Sequence, residues 1–259
     1  MKALLIGCGK MGGALLGRWV KSPEWSFTVV DPMAQDLPDD VRLFRDREEL
    51  GSELFDLVIV AVKPQLIDAV LPGYEQYLGA TGCVGSIAAG CSVARLQSAL
   101  GDVSVIRIMP NLPASIGQGV SGLFAGPKCT PAQRSGVESL MQQAGTTVWV
   151  DEEDALDRVT AVAGSGPGYV FEIARTYIEA AEALGFTTAQ ARALVLDTMA
   201  GAVEMARRSD ESVETLRNSV TSKNGTTQAG LDALNGDGTL TELMRRTTRA
   251  AYDRAVELR

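Results

Sequence analysis

Histidine is absent from the 259 residues, and with it go the commonest general acid/base and the commonest metal ligand. A Ser-His-Asp hydrolase, an HExxH metalloprotease and a histidine-dependent hydroxyacid dehydrogenase are thereby excluded. Cysteine is limited to Cys8, Cys83, Cys91 and Cys129. None of the four shows CxxC spacing, so reduced, buried thiols are expected in place of a disulfide frame or a zinc site. No apolar run approaches the roughly 20 residues of a membrane span. The first strand-like run, Ala3-Leu4-Leu5-Ile6, ends at Gly7 and is too short for the apolar core of a signal peptide. A basic excess is missing too: 24 Lys and Arg stand against 32 Asp and Glu, for a net charge of −8. Residues 1–150 carry 12 basic and 14 acidic groups, and residues 151–259 carry 12 and 18. Neither half offers the surface that binds a phosphate backbone. The expectation is a cytoplasmic protein with no nucleic-acid partner, no membrane contact and no metal.

What is present is an ordinary globular composition, 46% hydrophobic and 22% charged, with length for one large domain or two modest ones. The first half alternates short apolar strands with helical stretches. Strands are read at Lys2–Ile6 and at residues 27–30, 41–44, 57–62, 84–89, 103–109 and 147–150, with an amphipathic helix over 11–20. The run Leu57-Val58-Ile59-Val60-Ala61-Val62 is apolar almost throughout, as a strand covered on both faces is. This alternation predicts an α/β fold with a Rossmann-like open parallel sheet over residues 1–150. From Asp151 the pattern is helical, so residues 151–259 are expected to form an all-α domain. Val170, Ala174, Tyr177, Ile178, Ala181 and Leu184 keep the spacing of one buried face, as do Leu194, Val195, Thr198, Met199, Ala202, Val203 and Ala206. A third face runs through Leu240, Leu243, Met244, Thr247, Ala251, Ala255 and Leu258. These helices are rich in small residues, and about 110 residues make a thin bundle, so a shared core in a homodimer is expected.

Gly7-Cys8-Gly9-Lys10-Met11-Gly12 fits G-x-G-x-x-G between a strand and a helix. Gly7 would make the tight turn, Gly9 would let a pyrophosphate approach the backbone, and Gly12 would let helix and strand pack closely. The unpaired amides and dipole of the helix start then favour phosphate. Asp31 follows the next strand, nineteen residues beyond Gly12. There it would accept from the ribose hydroxyls and repel a 2′-phosphate; the plain alternative is a turn opener before Pro32. Residues 32–35, Pro-Met-Ala-Gln, offer no cation to such a phosphate. NADPH or NADH is the expected cofactor, with NADH preferred.

Four further segments carry a resemblance: Ala61-Val62-Lys63-Pro64-Gln65, Ser86-Ile87-Ala88-Ala89-Gly90, Arg107-Ile108-Met109-Pro110-Asn111-Leu112-Pro113, and Val220-Thr221-Ser222-Lys223-Asn224-Gly225-Thr226-Thr227. With Ala163-Gly164-Ser165-Gly166-Pro167-Gly168 they make the chain resemble the pyrroline-5-carboxylate reductase family over nearly its whole length. The resemblance implies reduction of 1-pyrroline-5-carboxylate to L-proline, the last step of proline biosynthesis, by hydride from NAD(P)H. It implies cofactor contacts from Ala61, Val62, Lys63 and Pro64 and from Ala88, Ala89 and Gly90. Asn111 would lie at the cleft, and Arg107 there or in a structural ion pair. Substrate would be held by Ser222, Gly225, Thr226 and Thr227, with Thr227 beside the ring nitrogen as the catalytic group. The chemistry suits a chain without histidine, since a protonated cyclic imine accepts hydride to give a neutral amine and the site mainly orients and excludes water.

Several positions depart from the family's pattern. Its usual Ser-Pro-Gly-Gly loop reads Ser222-Lys223-Asn224-Gly225 here, which adds a cation and relies on asparagine for a left-handed turn. Ala163, Gly168 and Leu112 replace a typical serine, alanine and threonine. A reductase of a related cyclic imine acid and a non-catalytic dinucleotide sensor therefore stand as alternatives. A β-hydroxyacid dehydrogenase is disfavoured, because the helix over 169–184 has Arg175 and no lysine.

Overall fold

The computed structural model describes residues 1–258. Its elements in chain order are β1 Lys2–Ile6, α1 Lys10–Trp19, β2 Ser26–Val30, β3 Arg42–Phe44, β4 Phe55–Val60, α2 Ile67–Val70, β5 Leu78–Ser86, α3 Val93–Leu100, β6 Val105–Met109, β7 Gly119–Ala125, α4 Pro131–Gln142 and β8 Gly145–Trp149. The helical remainder is α5 Ala155–Val159, a π-turn at Thr160–Gly164, α6 Gly166–Ala183, α7 Thr188–Arg208, α8 Val213–Ser219, α9 Thr226–Asn235 and α10 Thr239–Glu257.

The eight strands form one sheet in the order β3-β2-β1-β4-β5-β6-β7-β8. All pairings are parallel except β6 with β7. Strand order reverses between β1 and β4, and such a switch point opens a crevice at the carboxyl ends of the strands. Apolar clusters lie on both faces of the sheet. One gathers Leu5, Leu16, Trp19, Phe27, Ile59, Ile106 and Leu140, the other Leu4, Ile6, Val58, Val60, Ile67, Leu96 and Val105. Alternate residues of one strand enter different clusters, the side-chain period of two expected of a doubly covered sheet.

Two readings of the sheet are corrected. β7 was not expected from the sequence, and it makes the sheet mixed. The strand read at 84–89 ends at Ser86, and the next residues form the loop to α3. β7 is disguised by glycine, but its glycines serve packing. A Cβ on Gly119 would lie 2.7 Å from Ala114, and one on Gly122 would lie 2.7 Å from Val159.

The chain forms two compact units, Met1–Pro167 together with the stretch from Ala251, and Gly168–Ala250. The pattern change near residue 150 coincides with the end of β8. In the second unit, Gly185 at φ +99° follows α6 and its C-terminal turn, and Thr187 closes a capping box with Gln190 at the start of α7. Ala181, Ala191 and Val195 form its buried cluster. The periodic faces are helical as expected, but within one chain they are only partly covered, at Ala174, Ala181, Val195 and Ala255. Val170 is 51% exposed, Tyr177 51% and Leu184 82%. Among the described residues no helix is long and apolar enough to cross a membrane.

Candidate active site

The carboxyl edge of the sheet is built by backbone bonds that extend the ladder past the strands. The Gly7 amide donates to the Val30 carbonyl at 2.9 Å, Ala61 to Ile6 at 2.9 Å, and Ile87 to Val60 at 3.0 Å. The loops after β1, β2, β4 and β5 are thereby held in register beside one another.

Each glycine of the first turn meets a distinct constraint. Gly7 has φ +85°, and a Cβ there would lie 2.9 Å from Val62 Cγ1 and 3.2 Å from the Ala61 carbonyl. Conformation and space both demand glycine. A Cβ on Gly12 would press on the Gly7 carbonyl at 3.1 Å and Ala61 Cβ at 3.2 Å, so α1 starts against β1 and the residue after β4. Around Gly9 a Cβ would meet nothing within 4 Å. Gly9 is also the N-cap of α1 and gives it no side-chain cap. The first-turn amides of Lys10 and Met11 thus lack intrahelical acceptors beside open space, which is the arrangement a phosphate requires.

Asp31 is tied to this turn. Its Oδ2 accepts from the Cys8 amide at 2.6 Å, and Oδ1 accepts from Met33 and Ala34 at 2.7 and 2.8 Å. The turn-opening role and a place in the lining of the neighbouring cleft are therefore combined in one carboxylate. Cys8 is half-buried, and burial, reinforced by the negative charge of Asp31, raises its thiol above the ordinary range. It is a neutral group under the turn.

A cleft of about 940 Å³ gathers Gly7, Gly9, Asp31, Ala61, Val62 and Lys63. It also contains Arg45, Arg47, Leu66, Val70 and Tyr74, which the sequence reading missed. Arg45 and Arg47 follow β3, and only the strand order brings that segment beside Asp31. The available signal was the Arg-Asp-Arg run directly after the third strand. Arg47 is engaged locally, with Glu48, the Pro72 carbonyl and the Tyr74 ring. Pro64 opens a 3-10 turn, Pro64–Leu66. Arg95 of α3 anchors it by donating to the Pro64 carbonyl at 3.1 Å while pairing with Asp68 at 2.7 Å.

Ala88, Ala89 and Gly90 lie in the loop after β5, outside the lining of that cleft, and Gly90 has φ +72°. Asn111 is buried after β6. Its Nδ2 donates to the Ala163 carbonyl at 3.0 Å, and its Oδ1 accepts from the Val120 amide at 2.9 Å. Asn111 thus ties the start of β7 to the π-turn, keeping one amide N–H uncommitted. π-turns recur at functional sites. Arg107 is an ion-pair residue: its Nη1 donates to Glu153 Oε1 at 2.9 Å, and the same oxygen accepts from the Val93 amide at 2.8 Å.

In the second unit, Ser222, Lys223, Asn224 and Gly225 turn the chain into α9. Asn224 has φ +61°, so asparagine supplies the left-handed residue where the family uses glycine. The Gly225 amide donates to the Ser222 carbonyl at 2.9 Å. A Cβ on Gly225 would collide with Ser222 Oγ. Gly225 is the N-cap of α9 and provides no side-chain cap. The amides of Thr226 and Thr227 therefore open the helix without intrahelical acceptors, beside two hydroxyls of their own side chains. Such a start offers N–H and O–H donors to a carboxylate.

The sheet order and the glycine turn define a dinucleotide-binding protein of the Rossmann class. Comparison with known proteins narrows that class. The pyrroline-5-carboxylate reductase dimerisation family matches residues 153–258. The chain is 36% identical over 260 residues to the pyrroline-5-carboxylate reductase of Pseudomonas aeruginosa, spanning 98% of this chain and 95% of that protein. It is 33% identical over 264 residues to that of Pasteurella multocida, spanning 98% and 96%. Among solved structures, the pyrroline-5-carboxylate reductase of Coxiella burnetii has a TM-score of 0.90 at 33% identity, covering 99% of this chain and 97% of that one. The Plasmodium falciparum pyrroline carboxylate reductase, solved with NADP bound, has a TM-score of 0.86 over 100% and 98%; at 24% identity it is a likeness of fold. The chain belongs to the pyrroline-5-carboxylate reductase family.

Proposed function

We propose that this chain reduces 1-pyrroline-5-carboxylate to L-proline with NAD(P)H. The observation that carries the reading is the uncapped start of α9 behind the tight 222–225 turn, in a chain whose first half builds the glycine-gated cleft. A sensor of dinucleotides needs only the cleft.

A bound dihydronicotinamide supplies the hydride. The residues of the chain bind, orient and protect. In this reading Gly7, Gly9 and the amides of Lys10 and Met11 hold the pyrophosphate, with Cys8 and Gly12 shaping the turn. Ala61, Val62, Lys63 and Pro64, and Ala88, Ala89 and Gly90, line the path toward the nicotinamide, and Asn111 holds the segment behind it. Ser222, Gly225 and Thr226 take the substrate carboxylate through amides and hydroxyls. Thr227 places its hydroxyl at the ring nitrogen, where it steadies the protonated imine as carbon takes the hydride and nitrogen becomes a neutral amine. Residues 1–150 act as the dinucleotide domain, and residues 151–259 as the domain for substrate binding and dimerisation. The exposed apolar faces of α6 and α7 support self-association. Cytoplasmic operation is supported by four free cysteines.

NADH is the proposed preferred cofactor. Asp31 spends three acceptor sites on backbone amides, and a carboxylate has about four. One remains for a ribose hydroxyl, and its charge opposes a 2′-phosphate.

The test is NADH and NADPH oxidation with pyrroline-5-carboxylate, beside the six-membered imine acid and the 2-carboxylate isomer. Turnover on the first substrate supports the reading. Turnover on another ring would assign Lys223 and Asn224 a change of specificity, and cofactor binding with no turnover would favour a sensor.

A further inference from the structure

The register of β2 and β3 places a cation beside Asp31. Val30 pairs with Phe44, and the Asp31 amide donates to the Phe44 carbonyl at 3.1 Å. One residue further, the two chains present Asp31 and Arg45 as neighbours. Arg45 Nη1 donates to the Asp31 and Ala34 carbonyls at 3.1 and 2.7 Å. The guanidinium is thereby fastened to the main chain of the 31–34 turn. An arginine has five N–H donors, and the three on Nε and Nη2 meet no protein acceptor among the described residues. No carboxylate pairs with this guanidinium there either, whereas Arg42, Arg47 and Arg95 are each paired. Arg45 is exposed and lines the same cleft as Gly7, Gly9 and Asp31.

We infer that Arg45 receives the 2′-phosphate of NADPH and sets how far the protein accepts that cofactor beside NADH. The inference rests on the dinucleotide reading above. The 2′-position branches from the ribose that Asp31 addresses, so a phosphate there meets the carboxylate's repulsion and needs a cation close by. Residues 32–35 supply none; the neighbouring strand does. A planar guanidinium suits phosphate in two-point contact. Because Arg45 is already held by two carbonyls, little side-chain freedom remains to be lost on binding. Asp31 and Arg45 therefore act as opposing determinants at one ribose.

The experiment is calorimetric titration of wild-type protein, Arg45→Gln and Arg45→Lys with four probes: NADPH, NADH, 2′-phospho-ADP-ribose and ADP-ribose. A hydrogen bond to a charged group contributes roughly 1.5–3 kcal/mol, equivalent to about 10- to 100-fold in affinity. In Arg45→Gln the affinity ratio of 2′-phosphorylated to unphosphorylated probe is expected to fall at least about tenfold, with Arg45→Lys intermediate. The wild-type ratio should also fall with added salt. Equal weakening of all four probes would reduce Arg45 to a structural tie and overturn the inference. So would an unchanged ratio with binding intact. Failure of the wild type to bind any probe would instead overturn the dinucleotide reading itself.

Discussion

Asp31 Oδ2 and the Cys8 amide meet at 2.6 Å. Through this bond the residue we assign to the adenosine ribose also props the turn we assign to the pyrophosphate. Changing Asp31→Asn places an amide N–H₂ or a weaker carbonyl acceptor against Cys8. We expect a loss of about 1–2 kcal/mol in folding stability, read by urea denaturation, together with weaker binding of NADH. Full stability in that variant would show that the Cys8 contact carries no energy.

Thr227, in the first turn of α9, is assigned to the ring nitrogen by the resemblance to the reductase family. It is exposed, so Thr227→Val should leave the thermal midpoint within a degree or two while lowering kcat by about 10- to 100-fold, the range for a lost hydrogen bond to a charged group. Thr227→Ser should restore most of the rate. Wild-type turnover in Thr227→Val would remove the hydroxyl from the mechanism.

The 222–225 turn, to which we assign the substrate carboxylate, depends on backbone conformation. Asn224 at φ +61° tolerates glycine, so Asn224→Gly should be close to neutral, whereas Asn224→Val forces a β-branched residue into the left-handed region at about 1–2 kcal/mol. Gly225→Ala drives a Cβ into Ser222 Oγ and should raise KM for the imine more than it changes cofactor affinity. An unchanged KM would detach this turn from substrate binding.

Alkaline pH should destabilise the protein. Burial, with a smaller contribution from Cys129, pushes the Cys83 thiol from 9.0 up to about 12. Below pH 9 folded and unfolded chains both keep that proton, and stability is at its full value. Between about pH 9 and 12 only the folded chain does, so stability falls with rising pH. Tyr74, raised by burial from 10.0 to about 12, adds to the fall from about pH 10. Urea titrations at pH 8.0 and 10.5 should show lower stability at the higher pH, with a smaller difference in Cys83→Ala. Equal stability at both values would contradict the burial of these groups.

Much of this was legible beforehand, and the exceptions have physical causes. The central strands are apolar in runs because helices cover both sheet faces, and the glycine turn reads directly from its spacing. The α9 start was visible as hydroxyls and glycine before a helical stretch. β7 was hidden because Gly119 and Gly122, where Ala114, Val159 and Leu156 press on the strand, look like loop residues in one dimension. Arg45 was missed because its closeness to Asp31 exists only once β3 pairs with β2. The periodic faces of α6 and α7 announce burial, but their pattern does not distinguish cover within the chain from cover by a second copy. Arg107, readable as a cleft residue or an ion-pair partner, is decided by Glu153 at 2.9 Å.

The most direct test follows the hydride. The protein would be incubated with pyrroline-5-carboxylate and NADH deuterated at the transferable C4 position, and the product analysed by mass spectrometry and NMR. The account predicts L-proline carrying one deuterium at C5, formed in step with NADH oxidation. Oxidation of NADH without deuterated proline, or no oxidation at all in protein that binds NADH, would contradict it.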